Sequence, residues 1–69
     1  MNKKEAQALV FGARLKLTPK ATSMGLRGRS RSEFGTFIKH ARRGHIAVRR
    51  DGIAMYDVYH HSMWDLVED

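Results

Sequence analysis

Four histidines, His40, His45, His60 and His61, and two arginine pairs, Arg42–Arg43 and Arg49–Arg50, are the residues of this chain best equipped for chemistry. Imidazoles can hold zinc, which needs ligands converging on a tetrahedron from recognisable spacings. His40 and His45 straddle a predicted helix end, and His60 and His61, as neighbours in a strand, point to opposite sides. No metal site is read from them. An imidazole set between a carboxylate and a hydroxyl can activate a nucleophile, and Asp57 falls across from His45 in the preferred hairpin pairing. Ser30, Ser32 and Ser62 have no activating geometry, so a surface ion pair is expected and no catalytic group is assigned. The arginines carry a different chemistry. Their guanidinium forks match phosphate and carboxylate oxygens, so they address a polyanion or an acidic protein surface.

Charge distribution supports that reading. The 69-residue chain has a net charge of +6, with 13 Lys and Arg against 7 Asp and Glu. Residues 1–13 carry +1, residues 14–50 carry +10 with Glu33 as their sole acid, and residues 51–69 carry −5. A merely solubilising surface mixes the signs; this one predicts a polyanion-facing centre and an acidic tail. So short a chain buries roughly 60% of its extended surface. A substrate cavity of roughly 300 Å³ is not expected beside such a core, which argues against an enzyme and a small-molecule substrate. The absence of cysteine removes disulfides and thiolate-bound zinc. No apolar run approaches the ~18 residues that span a bilayer. The N-terminal apolar stretch is interrupted by Gln7, Gly12 and Arg14, so no secretory signal is read and a cytoplasmic location is expected.

These side chains need elements to position them. Ala6, Leu9, Val10 and Ala13 make one helical stripe over residues 3–13, followed by a short strand at Arg14–Leu17. Thr18–Pro19 starts a short helix running to about Met24. "GLRGRSRS" is a connector. Over Ser30–Gly44, Ser30 and Glu33 form a predicted capping box, and Phe34, Phe37, Ile38 and Ala41 follow helical spacing. Gly44 is the expected left-handed residue past that helix. His45–Arg50 and Ile53–Tyr59 read as a hairpin turning at Asp51–Gly52. The preferred register pairs Arg49 with Ile53, gathers Ile46, Val48, Ala54, Tyr56 and Val58 on one face, and leaves Arg49 and Arg50 at the tip. Ser62 caps a short closing helix whose Met63, Trp64, Leu66 and Val67 complete the core. Phe34, Phe37, Tyr56 and Trp64 are assigned to buried faces in preference to nucleobase stacking. The expected architecture is α+β, a small winged-helix-like domain over residues 17–69 with two or three short helices and a β-hairpin, preceded by an arm or helix over 1–16.

From Leu17 to Val67 the sequence resembles the small winged-helix DNA binders of the excisionase and MerR-type class. The stretches that carry the resemblance are "LTPKATSMGL", "SRSEFGTFIKHARRG" and the basic hairpin. It implies that Ser32, Thr36, Lys39 and His40 lie near the major groove, with Arg42 and Arg43 extending the same basic surface. Arg49 and Arg50 would reach phosphate or minor groove from the wing, and Arg27, Arg29 and Arg31 would contact the backbone from the connector. The small, Arg-rich, cysteine-free make-up also looks like that of small phage regulators, some of which bind host RNA polymerase. On that alternative Leu9, Val10 and Phe11 are anchors and Arg14 a flanking charge. The expected function is a small, non-enzymatic regulator of transcription or DNA transactions, in the host cytoplasm if phage-encoded, with no cofactor and no membrane partner.

Overall fold

A computed structural model describes residues 1–23 and 32–67 of the chain. Asn2 opens the first element. Its side-chain oxygen accepts from the Glu5 N–H at 2.8 Å, and its own N–H donates to the Glu5 carboxylate at 3.0 Å. This capping box starts α1 (Lys3–Gln7), which ends well short of Ala13. Gly12 takes φ +92° and Ala13 donates to the Val10 carbonyl, turning the chain into β1 (Arg14–Leu17). β1 alternates exposed Arg14 and Lys16 with buried Leu15 and Leu17, the period of a half-buried strand. Thr18 then caps α2 (Pro19–Ser23), its Oγ1 accepting from the Ala21 N–H at 3.1 Å, with Pro19 in the first turn.

The stretch expected to form the recognition helix is a strand. β2 (Phe34–His40) pairs antiparallel with β1 on one side and with β3 (His45–Arg50) on the other. The apolar residues at 34, 37 and 38 suit a helix, but they equally suit a strand with a bulge, and the register shifts between Phe37 and Lys39. Pairing on two flanks decides the matter. Gly35 helps, because it weakens a helix and here lets strands approach closely. A Cβ on Gly35 would lie 2.7 Å from Val48 Cγ1 and 3.1 Å from the Arg49 carbonyl oxygen. Gly44 is left-handed as expected, at φ +75°, but within the turn from β2 to β3 instead of at a helix end.

Asp51 and Gly52 do turn the chain, with Gly52 at φ +83° and Ile53 N–H bonded to the Arg50 carbonyl. The next strand, β4 (Asp57–His60), begins only four residues later. Its register pairs Val48 with Asp57, Ile46 with Tyr59 and His45 with His60. The expected pairing of Arg49 with Ile53 does not hold, and Tyr56 and Val58 face outward while Tyr59 packs against the core. The expected closing helix is also absent. A 3-10 turn (His61–Met63) leads into β5 (Trp64–Leu66), which pairs with β1. The expected α+β winged-helix architecture is therefore overturned: α1 and α2 have five residues each, and the body is one five-stranded antiparallel sheet in the order β4-β3-β2-β1-β5.

This sheet must be rolled. The four steps from His60 to Trp64 reach at most about 14 Å, whereas the edges of a flat five-stranded sheet lie about 19 Å apart. Tyr59 on β4 and Trp64 on β5 meet edge to face, with centroids 5.4 Å apart, and close the roll. Leu9, Leu15, Leu17, Ala21, Phe37, Ile46, Val48 and Trp64 fill its interior. The N-terminal ammonium is tied to the last strand, donating to the Trp64 carbonyl at 2.6 Å and to Asp65 at 2.9 Å.

Candidate nucleic-acid interface

Rolling the sheet sends alternate side chains of β1, β2 and β3 to its outer face. Strand register aligns them in rows. Arg14, Thr36 and Arg49 lie side by side across three strands, and Lys16 lies beside Phe34. Lys39 is opposite Ala47, which is opposite Val58. Arg14, Lys16, Lys39 and Arg49 are exposed. Two of these cations rest on aromatic rings, Lys16 Nζ at 5.6 Å from the Phe34 centroid and Lys39 Nζ at 5.0 Å from that of Tyr56. Both distances are within cation–π range. Tyr56 is 42% exposed and Met55 beside it 78%, so the face offers aromatic and apolar surface among its charges.

One cation on this face is already engaged. Arg14 grips Asp51 with two hydrogen bonds of 2.8 and 2.7 Å and also donates to Thr36 Oγ1 at 3.0 Å. The Arg14 hydrogen bonds hold the Asp51 carboxyl below its ordinary value, and the same pairing raises Arg14. The other salt bridge among the described residues joins the N-terminus to Asp65, so Lys16, Lys39 and Arg49 are in neither of the two.

Arg50 does not share that role. It is 2% exposed, and its Nε and one terminal nitrogen donate to the Ser32 carbonyl at 3.0 and 2.7 Å. Its register partner is Gly35. Of the adjacent pair expected at a wing tip, Arg49 faces out and Arg50 braces the interior. Ser32 is a bracing residue too, with its Oγ accepting from the Phe34 N–H at 3.0 Å. Arg27, Arg29 and Arg31 lie outside the described residues. Leu9, expected as a docking anchor, is buried in the core, while Val10 and Phe11 are 71% and 75% exposed in the turn before β1.

A second basic region lies at the end of the roll. Exposed Arg42 and Arg43 in the β2–β3 turn, with His40, border an open cleft of about 370 Å³. Lys3, His45 and His61 also line it. A cleft of this size was not expected in so small a chain; Lys3, Ala6 and Gln7 of α1 line it together with residues 40–46 and His61. The rings of His60 and His61 are 4.3 Å apart, and those of His45 and His60 5.3 Å. The expected divergence of His60 and His61 fails because β4 stops at His60 and the 3-10 turn swings His61 round. Asp57 is paired with Val48, not His45. Desolvation among its neighbours, then the charges of His61, His45 and Lys20, lower the His60 pKa. No group of three or more His, Asp or Glu among the described residues is arranged to hold a metal ion.

Sequence reasoning passed over Lys16 and placed Phe34 and Tyr56 inside. The signal for Lys16 was present: "RLKL" alternates, so whatever face Arg14 takes, Lys16 shares. Comparison with protein-family models, curated proteins and solved structures returns no match. Among the described residues no helix is long and apolar enough to cross a membrane.

Proposed function

We propose that this chain is a small, non-enzymatic nucleic-acid binder serving transcription or another DNA transaction, and that it lays a single strand across the outer face of β1, β2 and β3. The observation that carries this reading is the combination of Lys16, Lys39 and Arg49 with exposed Tyr56 on one surface. Single-strand binders pair a cationic track for the backbone with aromatic platforms for the bases. Reading a duplex through its major groove takes a helix or a two-stranded ribbon, and helices of five residues are poor candidates. The proposed setting is the cytoplasm, that of the host if the chain is phage-encoded.

The test is fluorescence anisotropy with a short labelled single strand and its duplex, titrated at several salt concentrations. Substituting Lys16, Lys39 and Arg49 together by alanine should flatten the log–log salt slope by about 2, from roughly 0.7 per contact on single strands. An unchanged slope rejects the interface. Exposed Val10 and Phe11 favour a second reading, docking on RNA polymerase. In that case V10S/F11S abolishes binding to purified polymerase and leaves oligonucleotide binding intact.

A further inference from the structure

The cleft at the end of the barrel has a chemistry of its own. Its charged lining residues are Lys3 from α1 and Arg42 and Arg43 from the β2–β3 turn, and among the described residues no carboxylate lines it. His40, His45 and His61 complete its polar wall. Two of these imidazoles are held in a defined orientation. His45 Nδ1 lies 3.0 Å from the Arg43 carbonyl oxygen and His61 Nδ1 lies 3.1 Å from that of Met1. A carbonyl only accepts, so both Nδ1 atoms carry the proton and donate. Nε2 is then the ring nitrogen left outside these contacts. A bare basic patch on a flat surface would not do this. Here cations from two elements and two oriented imidazoles border a concave space of about 370 Å³, within the range of roughly 300–1,000 Å³ that holds small ligands.

We propose that this cleft binds a phosphomonoester, either the phosphate of a free mononucleotide or the 5′-phosphate of a strand end. Arg42 and Arg43 supply fork-shaped donors that match phosphate oxygens, and Lys3 adds a point charge from α1. A diester in mid-strand has one negative charge, whereas a terminal phosphate carries close to two near neutral pH. The excess of cations favours the latter. His60 is in ring contact with both His45 and His61 beside the site.

The site is separate from the outer face of β1, β2 and β3, so its success or failure is independent of the function proposed above. The probe is adenosine 5′-monophosphate, with adenosine as control, added to isotopically labelled protein while amide shifts are followed. The monophosphate should move the Arg43, Gly44 and His45 amides saturably, and adenosine should not. R42A/R43A, two exposed turn positions, should weaken that binding at least about tenfold. The Lys16, Lys39 and Arg49 triple-alanine variant should leave it unchanged. Absence of shifts, equal shifts with adenosine, or indifference to R42A/R43A overturns the proposal. A labelled oligonucleotide with and without a 5′-phosphate separates the two sources. A gain with the phosphate that requires Arg42 and Arg43 assigns the site to strand ends, and monophosphate binding without such a gain assigns it to free nucleotides.

Discussion

Replacing Gly35 with alanine tests the central difference between a helix and a strand at this position, because the two give opposite signs. In a helix, Gly35→Ala stabilises by up to about 1 kcal/mol. In the rolled sheet the new Cβ lands 2.7 Å from Val48 Cγ1 and 3.1 Å from the Arg49 carbonyl oxygen. Carbon atoms settle at about 3.5–4.0 Å, so the first contact is nearly 1 Å too short. Val48 is fully buried and β-branched, with few alternative rotamers, and the second contact is backbone. Overpacking of this kind costs about 1–3 kcal/mol. The lower entropy of the unfolded alanine chain offsets about 0.4–1 kcal/mol of it. A net loss of about 1–2 kcal/mol is expected, or about 4–16 °C in Tm for a domain of this size. Urea unfolding followed by the fluorescence of Trp64, the sole tryptophan, measures it. A double-mutant cycle sharpens the result: Val48→Ala removes the clashing methyl, so Gly35→Ala should be better tolerated in that background. A Gly35→Ala protein as stable as the parent, or more so, would refute the strand packing argued above.

Three further outcomes follow from the same coordinates. Arg49 and Arg50 should behave oppositely despite their adjacency: R49A leaves stability within about 0.5 kcal/mol, whereas R50A loses about 1.5–3 kcal/mol, the range for hydrogen bonds to a charged group. Paired urea melts read the difference. Tyr56→Ala should weaken single-strand binding by about 1–3 kcal/mol with little change in folding, measured by anisotropy and circular dichroism. Stability should also fall in two acid limbs. His60 binds its proton less readily when folded, so its contribution is complete above the ordinary imidazole value of about 6.5 and is lost as pH falls below it. Asp51 is likewise held low by Arg14, so its contribution is complete above about pH 4 and fades as pH falls through its lowered native value. Urea midpoints across pH for H60Q and D51N should each flatten one limb.

Much of the local structure was legible in the sequence because it depends on neighbours in the chain. The helix start at Thr18–Pro19, the strand at Arg14–Leu17, the left-handed Gly44 and the turn at Asp51–Gly52 appear as read, since each is decided within a few residues. What those residues join was not legible. Gly44 suits a hairpin turn as well as a helix end, and Phe34, Phe37 and Ile38 suit a bulged strand as well as an amphipathic helix. Sequence spacing alone cannot choose between them, because the deciding hydrogen bonds run to β1 and β3, with β1 some twenty residues away.

The candidate site divides along the same line. By itself the sequence determined the chemistry available: an arginine-rich centre, a cysteine-free chain and an acidic tail. Only the tertiary structure decided which charges face outward. Strand register turned Arg49 outward and Arg50 inward, rolling of the sheet exposed Tyr56 and buried Trp64, and the closing turn brought His61 beside His60. The physical reason is that a side chain's face depends on the partner of its backbone, and in this chain those partners are long-range.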